Sequence, residues 1–177
     1  LLDHLLQTTE DRGRRLFLLD HHLNQINGTV VRQTMFAEFE LRIHELVEQG
    51  ETLTHDMLGQ LYLNLLGDYW GPQVVLDAER SPRTWSRIPH FYYNFYVYQY
   101  ATAYSAAVAF SRAVLAGGQA ERERYLDILR SGCSRFPVQT LATGGVDMTT
   151  RDPFRDVFGL MDERLDQVEA LLDEGGH

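Results

Sequence analysis

The chain has 177 residues, 44% of them hydrophobic, enough for one compact core and too few to demand two, and its formal net charge is -9. Twenty-five acidic residues against sixteen basic ones, all of them Arg, set up a negative surface potential that repels phosphate backbones and argues against a nucleic-acid partner. No apolar run approaches the roughly 20 residues needed to cross a bilayer, which argues against a membrane partner, and the lone Cys133 excludes an internal disulfide and suits a reducing, cytoplasmic setting.

From Glu10 to Gln25 the residues Leu16, Leu19 and Leu23, with Ile26 beyond, recur at helical spacing and predict an amphipathic helix. The Asn27-Gly28 pair is expected to interrupt it, with Thr29 capping a new start. The next helix carries Val31, Met35, Phe39, Ile43, Leu46 and Val47, and Gly50 ends it. Thr54 then precedes a helix with Met57, Leu58, Leu61, Leu65 and Leu66, for which Gly67 is the expected stop. Between Gly71 and Pro89 three X-Pro steps disfavour uninterrupted helix, and Trp85 is expected to anchor a short turn. Val74 to Leu76 finds no matching strand elsewhere, so no sheet is predicted. Phe95 to Leu115 is apolar on nearly every side and closes at Gly117-Gly118, and Ala120 to Arg130 reads as an outer helix. Pro137 opens a short helix ended by Gly144-Gly145, and Asp152-Pro153 opens the last one, striped with Phe154, Val157, Phe158, Met161, Leu165, Val168 and Leu172. The predicted class is all-α with about eight helices in one domain, residues 1–177.

The densest anomaly is Ile88 to Ala101 (IPHFYYNFYVYQYA), where five Tyr fall within nine positions just after a proline-bounded loop. If a helix begins near Phe91, then Tyr93, Tyr96 and Tyr100, with Tyr104 beyond, share one face below His90. Buried phenols need hydrogen-bond partners, so the row fits either a satisfied network in an aromatic core or the wall of a wet cleft. Composition alone favours the core. In the cleft reading, a neutral imidazole and protonated phenols can donate to a developing oxyanion.

Two further segments accompany that block: Arg32 to Glu40 (RQTMFAEFE) and Gly144 to Thr149 (GGVDMT). In this order the three resemble the C-terminal third of oligoendopeptidase F, and the resemblance runs over essentially the whole chain. It implies a mostly helical zinc endopeptidase of the thimet-oligopeptidase-like group, with a deep channel for short unfolded peptides. The family's metal is held by an H-E-x-x-H helix and a downstream Glu, and a later His and Tyr cluster contacts substrate and the tetrahedral intermediate. Carried over, His90, Tyr93, Tyr96 and Tyr100 become the expected catalytic donors. Tyr92 and Tyr98 are possible substitutes among these phenols, and with Arg87 they form the expected substrate-binding set.

No H-E-x-x-H occurs in the chain. The string His44 to Glu48 has Glu where a second His is required, and His21-His22 points two ways on a helix, so both are expected to be solvated. Zinc is therefore expected to be bound upstream of Leu1, in the N-terminal remainder of the same enzyme. Arg32 and Arg87 are expected in structural ion pairs, though either could instead meet a peptide carboxylate. A rival from another class is a non-catalytic helical module that takes a peptide or partner helix in the same aromatic groove.

Overall fold

The computed structural model describes residues 1–174 and is all-α, with no strand among the described residues. Among the described residues seven α-helices run in chain order: α1 (Leu2–Thr8), α2 (Arg12–Ile26), α3 (Arg32–Glu48), α4 (His55–Trp70), α5 (Tyr98–Ser131), α6 (Pro137–Thr143) and α7 (Asp152–Asp173). Short 3-10 turns at Ser81–Arg87 and Pro89–Tyr92 occupy the proline-rich connection before α5. No helix among the described residues is long and apolar enough to cross a membrane.

The chain divides into two compact units. One comprises residues 1–27 and 102–177, the other residues 28–101. In the first, α2 packs along α7, burying Leu19 and Ile26 on one helix and Val157, Leu160 and Leu171 on the other. Asp11 caps α2 by accepting the Arg14 N–H at 2.7 Å, and the Arg12 side chain donates to the Leu171 carbonyl at 2.7 Å. A second cluster joins Ala106, Phe110 and Val146, with Ile128, Leu141 and Met148 against it. Gly144 is required here because a Cβ would meet Ile128 Cδ1 at 2.1 Å and Phe110 Cε1 at 2.8 Å. Gly145, at φ 95°, closes α6, with Val146 N–H bonding the Leu141 carbonyl and Gly145 N–H the Ala142 carbonyl. The GGV sequence is thus a helix stop pressed flush against an aromatic core.

In the second unit, α3 packs against α4, and Met35, Phe36, Phe39, Tyr62, Leu65, Leu66 and Val97 form the core. Thr54 caps α4 by accepting the Met57 N–H at 3.3 Å. Gly50, at φ 88°, ends α3 in the paired hydrogen bonds expected of such a stop: Gly50 N–H to the Val47 carbonyl and Glu51 N–H to that of Leu46.

Three boundary expectations are corrected. Asn27-Gly28 does not break the helix: residues 27–31 form a π-turn that joins α2 to α3, so Thr29 caps nothing. The widened turn loosens the i to i−4 ladder, and there the Gln33 side-chain amide donates to the Gly28 carbonyl at 3.4 Å and the Thr34 hydroxyl to the Val30 carbonyl at 2.8 Å. Gly67 lies inside α4, which runs on to Trp70 and stops at Gly71, φ 72°; a glycine mid-helix carries only a propensity cost that packing outweighs. The helix expected from Phe95 starts only at Tyr98, because Asn94 and Phe95 both adopt left-handed backbone conformations, φ 51° and 55°. Within α5, Gly118 (φ 71°) kinks the chain where the sequence places a helix end. The sequence also missed α1, too short to show periodicity.

Candidate functional site

The site is assembled in the second unit by a pair of apolar anchors. The 3-10 turn at Pro89–Tyr92 drives the Phe91 ring against Phe36 and Phe39, at centroid separations of 5.4 and 5.2 Å. Further along, Val97 is fully buried in the same core. Between these anchors the left-handed pair Asn94 and Phe95 reverses the chain, and the Phe95 N–H donates to Glu40 Oε1 at 2.6 Å. Glu40 itself is 1% exposed.

The reversal gathers the predicted donors around one imidazole. The His90 ring lies 6.2 Å from Tyr93, 5.7 Å from Tyr96 and 5.8 Å from Tyr100, stacked on the second and edge-on to the other two. Tyr96 also meets Tyr93 at 5.9 Å and Tyr100 at 5.5 Å. The Tyr100 hydroxyl stands 3.3 Å from His90 Nε2 and donates to the Tyr96 hydroxyl at 3.5 Å, which leaves its oxygen to accept from His90 Nε2–H. Both separations are long for such bonds, so these protons are weakly committed to one another and can be redirected to an incoming acceptor. The bond donated to Tyr96, with some desolvation, raises the Tyr100 pKa above its ordinary value.

The one-face helix expected for these tyrosines is therefore wrong, although the clustering of His90 with Tyr93, Tyr96 and Tyr100 is present. A tight turn, not helical periodicity, brings them together. Tyr104 belongs to the other unit, where burial raises its pKa. Tyr93 is 61% exposed and Tyr96 37%, so the cluster is an accessible surface and not a sealed core. Tyr92 points outward beside it, 73% exposed, and Tyr98 opens α5 at 51%. Arg87 is exposed at the end of the first 3-10 turn. A separate cleft of about 640 Å³ in the same unit, lined by His55, Asp56, Gln60, Glu79, Arg83 and Trp85 among others, contains none of the predicted residues.

The profile of peptidase family M3 matches residues 1–160. The chain belongs to peptidase family M3. Relatives within the family include oligopeptidase PepF of Bacillus subtilis, 47% identical over 96% of this chain and 25% of that protein. The chromosomal oligoendopeptidase F of Lactococcus lactis subsp. cremoris is 42% identical over 100% of this chain and 29% of its own length. Among solved structures, oligoendopeptidase-F from Enterococcus faecium superposes with a TM-score of 0.93 at 42% identity, covering 98% of this chain and 33% of that one. A putative peptidase from Chlamydophila abortus gives 0.89 at 36% identity, covering 96% and 28%. The chain thus spans about a quarter to a third of the M3 proteins it matches.

The metal that the M3 resemblance implies finds no ligand set here: among the described residues no group of three His, Cys, Asp or Glu side chains could hold an ion. His44 is not the solvated side chain expected. It is half-buried, its Nδ1–H donates to the Glu40 carbonyl at 2.7 Å, and its ring lies 4.4 Å from Phe95. His21 is exposed beside Phe17, but His22 is half-buried and accepts from Arg164 Nε at 3.4 Å; burial and that guanidinium lower its pKa below 6.5. The ion pairs expected for Arg32 and Arg87 are absent among the described residues; Arg32 lies 5.8 Å over the Trp70 ring, where an electron-rich face replaces a carboxylate. Cys133 is exposed and free.

Sequence reasoning missed Glu40 as part of the site. The signal was available: Glu40 follows Phe36 by four residues and precedes Ile43 by three, so it falls on the apolar stripe of α3 where a carboxylate needs a reason.

Proposed function

We propose that this chain contributes the histidine and tyrosine side of the active site in a zinc-dependent endopeptidase that cleaves short, unfolded peptides. The observation that carries the reading is the half-buried His90 imidazole, ringed by three phenols and linked at Nε2 to the Tyr100 hydroxyl. Such a set can approach a peptide carbonyl from one side and donate hydrogen bonds that strengthen as the oxygen gains charge. Preorganised donors of this kind stabilise the transition state more than the ground state, which raises turnover instead of merely tightening binding. His90 and Tyr100 are the leading pair, because the Tyr100 hydroxyl stands 3.3 Å from His90 Nε2; Tyr96 and Tyr93 form the second rank of donors. Tyr92, Tyr98 and Arg87 would contact the peptide on either side of the scissile bond, Arg87 through a carboxylate.

Zinc, when bound, polarises the scissile carbonyl and activates water. Its ligands would come from the remainder of the full-length enzyme, since the relatives are about three to four times longer than the matched region. A cytoplasmic setting is proposed from the single unpaired Cys133.

The test is turnover of an internally quenched fluorescent peptide by the full-length enzyme before and after His90→Phe, with zinc content and unfolding midpoint measured alongside. Loss of one oxyanion donor should lower kcat by about 10²- to 10³-fold, equivalent to roughly 2.7 to 4 kcal/mol. Unchanged turnover removes His90 from the reaction. Peptide binding without any cleavage in the unmodified, metal-loaded protein would instead favour the helical binding module.

A further inference from the structure

We propose that Glu40 is the positioning residue of the His90 cluster: its buried carboxylate holds the turn that gathers the tyrosines, and so acts on the reaction through groups it does not touch. The inference rests on the reading that this cluster serves peptide cleavage.

The turn is one that the local sequence does not favour. Two consecutive residues, Asn94 and Phe95, have φ values of 51° and 55°, and for residues with a Cβ the left-handed region brings the side chain against the backbone. Asn tolerates this conformation better than most residues; Phe does not. Something outside the turn must select it, and α3 supplies two contacts to the same residue. Glu40 Oε1 accepts the Phe95 N–H at 2.6 Å, a short, charge-assisted bond. One helical turn on, the His44 ring packs 4.4 Å from the Phe95 ring, while its Nδ1–H is tied to the Glu40 carbonyl at 2.7 Å. Glu40 and His44, four residues apart on α3, thus grip the backbone and the ring of one residue.

That residue lies between the donors. His90 and Tyr93 precede the reversal, and Tyr96 and Tyr100 follow it, so the angle between the two arms is set at Asn94 and Phe95. Phe91 and Val97 fix where each arm enters the core. Neither fixes the sense of the reversal, which the carboxylate selects. Relaxation of Phe95 toward negative φ would swing Tyr96 off the imidazole it stacks on at 5.7 Å. Glu40 stands in the helix interior with 1% of its surface exposed, a placement that a carboxylate adopts only with a compensating donor.

The experiment uses the full-length enzyme carrying Glu40→Asp or Glu40→Gln, each alone and combined with His90→Phe, and measures kcat, KM, zinc content and unfolding midpoint. Glu40→Asp keeps the charge but withdraws the acceptor by one methylene, and should lower kcat by about ten- to a hundredfold with KM little changed. Glu40→Gln keeps an acceptor oxygen at the same reach and should retain turnover within about fivefold of the parent enzyme. Because the effect passes through the cluster, Glu40→Asp should cause little further loss in the His90→Phe background. Parent-like turnover in Glu40→Asp, equal damage from both substitutions, or losses that multiply with that of His90→Phe would each overturn the proposal. Should Glu40→Asp lose its fold, Glu40→Gln decides alone: retention within about fivefold sustains the proposal and a larger loss overturns it. If His90→Phe impairs turnover and Glu40→Asp does not, only the role of Glu40 falls; if His90→Phe is itself without effect, the catalytic reading of the cluster falls first.

Discussion

Truncation of Phe39 to Ala should remove the support beneath the site, and the size of the effect can be worked from its surroundings. The side chain is fully buried and touches three aromatic rings: Tyr62 at 5.3 Å, Trp85 at 6.1 Å and Phe91 at 5.2 Å. Burial of a side chain this large contributes about 1.5 to 3 kcal/mol, and each aromatic pair adds roughly 0.5 kcal/mol or more beyond its area. The sum falls in the range of about 3 to 5 kcal/mol found when a core Phe is cut to Ala. Phe39→Leu, which leaves a smaller cavity, should cost less. Both tryptophans of the chain, Trp70 and Trp85, lie in residues 28–101, so tryptophan fluorescence of the 177-residue chain, excited selectively over tyrosine, reports on this unit during urea unfolding. With a urea m value of about 1 to 3 kcal/mol/M, the midpoint should move down by about 1 M or more. A displacement below about 0.3 M would correspond to a surface-like change and would refute the claim that Phe39 carries this core. In the full-length enzyme the same variant should also lower turnover, since Phe91 precedes the turn that aims the tyrosines and follows His90 directly.

A second expectation concerns alkaline pH. Burial of Tyr69, and the bond its hydroxyl donates to Glu38 at 2.7 Å, push its pKa from 10.0 up to about 12. The folded chain then holds this proton more tightly than the unfolded chain does, so the contribution is complete below about pH 10 and is lost as the pH rises through about 12. Unfolding midpoints of the parent and Tyr69→Phe should converge over that window, and parallel pH profiles would contradict the assignment. In the other unit, Gly144→Ala should destabilise by about 1 to 3 kcal/mol, because a methyl group there meets Phe110 and Ile128 and forces a tightly packed cluster apart. A thermal midpoint within about 1 °C of the parent would show that these rings yield freely.

Much of the helical plan was legible in the sequence because it depends on local chemistry. Thr54 as a cap, Gly50 and Gly145 as stops, and Pro137 and Pro153 in first turns act through the orphan groups and φ preferences of neighbouring residues, and each does so in the fold. Gly67 misled because its weak helix-breaking tendency is overridden when Leu65 and Leu66, immediately before it in α4, are buried. Asn27-Gly28 misled for a related reason: a π-turn absorbs the irregularity without ending the helix.

The site divides along the same line. Its membership, His90 with Tyr93, Tyr96 and Tyr100, could be named from the density of phenols after a proline-bounded loop and from the resemblance of three segments to a known family, later met by the match to peptidase family M3. Its geometry could not. The spacing of those tyrosines suited a helical face, whereas the fold places them by a left-handed reversal that no local preference of Phe95 would choose. The deciding contact is the hydrogen bond from the Phe95 N–H to Glu40, fifty-five positions away in sequence. By itself, then, the sequence determined an all-helical chain, its principal stops and which residues belong to the His90 cluster, because these can be read from residues a few positions apart. Only the tertiary structure decided how the rings of that cluster face one another, because that arrangement depends on a buried carboxylate and two apolar anchors meeting across the core.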